Sequence, residues 1–197
     1  MAKTASRRLV HVPIIHNQAD MGTLGDAFKH ALVDKLGEQW WRRNANLVDS
    51  VWTAIEKTLG GLNLRYELVR VYQDGLPVCG HELRIIAELA RAGSRNHQLL
   101  QRMRLRGATI LGTESAELLV EEYQLARQLI GNTSKREGPS TVEQTLARSL
   151  LERRDRYIAA RIDATLKPWQ TGVIFLGVLH SIADKLAPDI EVMELFR

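Results

Sequence analysis

The chain has 197 residues, 45% apolar and 25% charged, which is the balance of an ordinary globular protein with room for one sizeable core. Its 27 Lys and Arg stand against 23 Asp and Glu, and no basic block is interleaved with aromatics, so nucleic acid is not an expected partner. The single cysteine excludes an internal disulfide, no apolar run is long enough to span a membrane, and the basic start lacks a signal-peptide core; a cytoplasmic protein is expected.

Residues 9–15 form the first expected strand, with Pro13 arguing against a fully paired central position. A polar loop with Gly22 and Gly25 follows, then a helix from Asp26 with Phe28, Leu32 and Leu36 on one face. A second helix is expected over 46–59, carrying Val48, Val51, Trp52 and Ile55 and closed by Gly60-Gly61. The second strand spans 68–72 and runs into the turn 73–77. Helices are expected over 80–92 and, capped by Ser94, to residue 106; a third strand covers 108–111, and a helix follows over 116–130.

The stretch 131–140 offers almost no apolar group to bury and reads as a mobile loop. A long helix over 141–166 ends at Pro168. Val173-Ile-Phe-Leu176 is apolar on both faces, the pattern of a strand covered from both sides. A helix over 181–186 and a strand over 190–195 complete the chain. Strands alternating with helices predict an α/β fold, a mostly parallel β-sheet flanked by helices, as a single domain over 1–197.

In parallel sheets, ligands bind at the carboxyl edge, so polar groups at the strand exits are the candidates for chemistry. His16 and Asp20 follow the first strand, Tyr72 and Asp74 the second, Glu114 the third and His180 the fourth. His16, Asp20, Glu114 and His180 would suit a divalent metal ion that activates water, or general acid–base catalysis without one. Each residue also has a plainer reading. Histidines and aspartates at strand exits serve turns, and Glu114 can favour a helix dipole. His11 reads as a hydrogen-bonded strand histidine, and His30, His81 and His97 as surface or capping groups. Cys79 reads as a buried structural cysteine, and Trp40-Trp41 as core or oligomer surface. Glu152-Arg-Arg-Asp-Arg156 lies beside the buried stripe of the long helix, where Arg154 and Asp155 would bind an anion, orient a site or lock the helix to the sheet.

Arg154-Asp155, with Ile158-Ala159 and Ile162, then Val173-Ile-Phe-Leu-Gly177 and His180, resembles the C-terminal half of the TraB/Tiki proteins, grouped with the erythromycin esterase and ChaN-like proteins. In that family an Arg-Asp or Arg-Asn pair opens a helix and Gly-x-x-His closes the next strand. The resemblance implies an α/β fold with its site at one sheet edge. It also implies a choice among metal-dependent peptidase, esterase and haem-binding activities. At the place of a first Gly-x-x-His this chain has Pro13-Ile-Ile-His16. A hydrolase acting on a small molecule or peptide is the leading expectation, with Arg154 and Asp155 in support. A non-catalytic binding or regulatory module, homo-oligomeric or part of a larger assembly, is the second.

Overall fold

The computed structural model describes residues 6–15, 25–133 and 140–196. Its five strands, β1 (Arg7–Ile14), β2 (Val69–Gln73), β3 (Thr109–Leu111), β4 (Thr171–Gly177) and β5 (Ile190–Glu194), form one all-parallel sheet in the order β3-β2-β4-β1-β5. The expected single α/β domain is therefore the one observed. Strand alternation splits the apolar residues between two cores. Val10, Val12, Val71, Val173 and Phe175 face helices α2 (Glu38–Gly61) and α4 (Arg95–Leu105) on one side, where Trp52 stacks on Phe175 with ring centroids 6.5 Å apart. Leu9, Tyr72, Ile174 and Leu176 face helix α6 (Thr141–Thr165) on the other. Burial of each α6 isoleucine, Ile158 and Ile162, contributes about 1.5–3 kcal/mol. The central β4 is buried from Gly172 to Leu176, as its unbroken apolar run predicts.

Helix α1 (Gly25–Leu36) leads into α2 through Gly37, held at φ 86°, a left-handed backbone that ends one helix and starts the next. Helices α3 (Glu82–Arg91) and α5 (Ala116–Thr133) complete the set. Ser94 caps α4, accepting from the His97 N–H at 3.2 Å. Ser140 caps α6 in a reciprocal pair with Glu143, which accepts the Ser140 N–H at 2.6 Å.

Several expectations differ in informative ways. β1 is an inner strand despite Pro13, because its pairing with β5 stops at His11–Glu194. Leu195 N–H still donates to His11 O at 2.9 Å, and the next bond of a parallel ladder would be donated by residue 13, which as proline has no N–H. α2 begins eight residues before the expected start at 46, since local helix preference carries it beyond the apolar stripe that packs on the sheet. α5 continues to Thr133, so part of the expected 131–140 loop is helical, while 134–139 lie outside the described residues. In place of the helix over 181–186 there is one 3-10 turn, Ala183–Lys185. Cys79 is exposed rather than buried, and His97 is buried rather than superficial, its Nδ1 lying 2.6 Å from the Ser94 hydroxyl it helps to fix.

Candidate functional site at the carboxyl edge

Backbone contacts draw three strand exits together. Val78 N–H donates to Glu114 O at 2.9 Å, and Thr113 and Glu114 N–H both reach Leu76 O, at 2.9 and 3.1 Å. Gly112 permits this approach: a Cβ there would lie 2.7 Å from Pro77 O and from Val78 Cα. On the other side, Asp74 N–H donates to Phe175 O at 2.9 Å and Gly177 N–H to Asp74 Oδ2 at 2.9 Å, joining the β2 exit to β4. The result is a rigid shelf that carries Asp74, Glu114 and His180.

Helix α6 supplies the centre. Ile158 and Ile162 anchor it on the sheet, and Arg154 and Asp155, one turn earlier, stand over the shelf and are 4% and 2% exposed. Arg154 Nε and Nη2 grip Glu114 through two parallel bonds of 2.6 and 2.7 Å, and Nη2 also donates to Asp74 Oδ1 at 2.9 Å. Gly75 N–H, 2.7 Å from Glu114 Oε1, holds that carboxylate from below. The remaining guanidinium nitrogen, Nη1, donates to Glu122 of α5. His180 Nδ1 lies 2.5 Å from Asp155 Oδ1, while Asp155 Oδ2 accepts the Ser181 N–H at 2.9 Å. The other ring nitrogen, Nε2, faces Asp74 Oδ2 at 3.6 Å, beyond hydrogen-bond length but close in charge terms.

Four carboxylates thus meet two cationic groups, Arg154 and His180, inside a largely dry cluster. Burial works against a charged His180, but Asp74 and Asp155 outweigh it and raise its pKa above 6.5. Burial also raises the pKa of Glu114, aided by Asp74 and opposed by Arg154. For Arg154, burial is more than offset by Glu114 and Asp74, so its charge is secure.

Of the eight residues expected to form the site, Asp74, Glu114, Arg154, Asp155 and His180 come together. His16 and Asp20 lie outside the described residues. Tyr72 does not join the cluster. Its side chain is fully buried in the core under α6, and its hydroxyl lies 2.9 Å from Thr165 Oγ1 at the far end of that helix. Glu122 was missed, since nothing near it in sequence marks it out: its partner Arg154 is 32 residues away and meets it only because α5 and α6 pair. Pro77, whose backbone pairs with Glu114, lines with Ala116, Leu119, Val120 and Tyr123 of α5 a groove of about 270 Å³ that is almost wholly apolar.

Glu114 spends both oxygens on Arg154, and among the described residues no three His, Cys, Asp or Glu side chains are arranged to hold a metal ion. Among those residues, too, no helix is long and apolar enough to cross a membrane. Compared with known proteins, the chain matches no family model, no curated protein and no solved structure. Fold and cluster together define an α/β protein with a buried cluster of paired acidic and basic side chains at the carboxyl edge of its sheet.

Proposed function

We propose that the chain is a hydrolase-like enzyme that works by acid–base chemistry on His180, in the cytoplasm, where an exposed lone thiol stays reduced. The observation that carries this reading is the placing of His180 between two carboxylates, Asp155 on Nδ1 and Asp74 across Nε2. Asp155 fixes the ring orientation and the Nδ1 proton, leaving Nε2 as the nitrogen that exchanges its proton. A raised pKa favours the protonated ring, which donates from Nε2 to the leaving group as a water oxygen bonds to the carbon that group leaves. The neutral ring then takes the proton the added water gives up, so one water is consumed for each bond cleaved. Arg154, held by Glu114, keeps Asp74 in place beside the ring. The resemblance of the 152–195 stretch to the TraB/Tiki proteins supports a hydrolytic class. A divalent ion on His16, Asp20, Glu114 and His180 would first need Glu114 released from Arg154, so no step is routed through a metal.

The test compares turnover of a panel of simple esters, amides and peptides by the wild type and His180→Gln. Glutamine keeps a donor for Asp155 but cannot shuttle a proton. Expected is a folded variant without turnover; a variant as active as wild type, or a wild type inert across the panel, defeats the reading. One observation favours the second function, a binding module. Trp40, Leu47, Val120, Val142 and Leu146 are exposed on α2, α5 and α6, well clear of the cores.

A further inference from the structure

Arg154 meets its three carboxylate partners from unequal ground. Glu114 and Asp74 are nearly inaccessible, and each is also held by a backbone amide, Gly75 N–H for Glu114 and Gly177 N–H for Asp74. Glu122 differs in both respects. Its side chain is 47% exposed, and among the described residues its carboxylate makes no hydrogen bond or ion pair except that to Arg154 Nη1. Nη1 is therefore the one guanidinium edge whose partner can leave without disturbing the shelf. The α5 segment that carries Glu122 also carries Ala116, Leu119, Val120 and Tyr123, which form the apolar groove with Pro77.

We infer that Glu122 is a displaceable stand-in for a substrate carboxylate, and that the site takes a carboxylate with a short apolar body. The carboxylate replaces Glu122 on Arg154 Nη1, and the apolar body lies in the groove of Pro77, Leu119 and Tyr123. The exchange is neutral in charge, one carboxylate leaving as another arrives, so it adds nothing to the negative excess of the cluster. It also fits the geometry, since the guanidinium edge already holds a planar carboxylate in place. The cost is the lost Glu122 contact, offset in part because the released carboxylate, already 47% exposed, turns to water. This deepens the reading of the cluster as the functional site but does not depend on His180 transferring protons.

The experiment measures binding, not turnover, so its failure is distinct from failure of the acid–base reading. Acetate, hexanoate and inorganic phosphate are titrated calorimetrically into the full chain, as wild type, Glu122→Ala and Glu122→Gln. Vacating Nη1 should tighten hexanoate by about tenfold in Glu122→Ala, the worth of one charge-assisted hydrogen bond, with a smaller gain in Glu122→Gln. Hexanoate should bind more tightly than acetate in every form, and phosphate should gain least. Equal hexanoate affinity in wild type and variants would make Glu122 a plain tie between α5 and α6, like the neighbouring exposed pair Arg153–Glu121 at 2.7 Å, and would overturn the inference. Preference for phosphate would overturn the ligand class. Should Glu122→Ala fail to fold, the near-isosteric Glu122→Gln decides alone, and no gain there is a refutation.

Discussion

Two arginines hold the two ends of this sheet, and they do it differently. At the amino edge, Arg7 of β1 is nearly buried and reaches Asp189 through two bonds of 2.8 and 2.7 Å, Asp163 Oδ1 at 2.6 Å, and the carbonyls of Asp163 and Leu166 at 2.8 and 3.2 Å. Its acidic partners are about half exposed, 51% for Asp163 and 42% for Asp189. At the carboxyl edge, Arg154 is as buried, but Asp74 and Glu114 are buried with it, and Asp74 is shared with His180. Water dissipates the excess negative charge around Arg7. Around Arg154 the charges are confined: burial, aided by Asp74, raises the proton affinity of Glu114, and Asp74 and Asp155 raise that of His180 against its burial. One arginine is a clamp; the other sits in a cluster where Glu114 and His180 hold their protons more tightly than usual.

The comparison breaks most visibly on removal of each arginine. Arg154→Leu leaves Asp74 and Glu114 buried without their counter-ion, and a loss of about 3–5 kcal/mol is expected in urea unfolding. Arg7→Met should cost less, about 1–2 kcal/mol, because Asp163 and Asp189 turn to water while two backbone carbonyls lose a donor. Equal losses would mean that the carboxyl-edge cluster is no more desolvated than the clamp.

A finer distinction is in pH dependence. A pKa raised on folding means the folded state binds protons more tightly, so stability is present at low pH and declines as pH rises. For His180 the contribution is complete below about pH 6.5 and is lost as pH climbs through the raised folded value; for Glu114 the same decline begins from about 4.5. Thermal melts of wild type from pH 5 to 9 should therefore show a fall above pH 6.5 that His180→Gln lacks. An unchanged slope in that variant would place the titrating group elsewhere.

Much of this site could be read from residue order. Asp74, Glu114 and His180 each follow an apolar run that local pattern marks as a strand, and strands separated by helices have their exits on one edge. Arg154 and Asp155 stood out because their charges adjoin the Ile158 and Ile162 stripe. Cys79 defied its expected burial because it sits in a surface turn, where its N–H donates to Glu82 Oε1 at 2.9 Å. The helix over 181–186 failed for a tertiary reason. Asp155 takes the Ser181 N–H, and the chain there is pinned to α6 before a second helical turn can form.

By itself, then, the sequence determined the order and kind of the elements, the parallel sheet, and the edge at which polar groups gather. These follow from periodicity and turn chemistry, which act over a few residues. Only the tertiary structure decided which charges meet. Arg154 reaches Glu114 and Asp74 across 40 and 80 residues, and His180 reaches Asp155 across 25. It also decided that the Tyr72 hydroxyl turns away to Thr165 and that Glu122 closes the guanidinium edge. Those pairings depend on how α5 and α6 dock against the sheet, and docking is set by the summed fit of two cores rather than by any local run of residues.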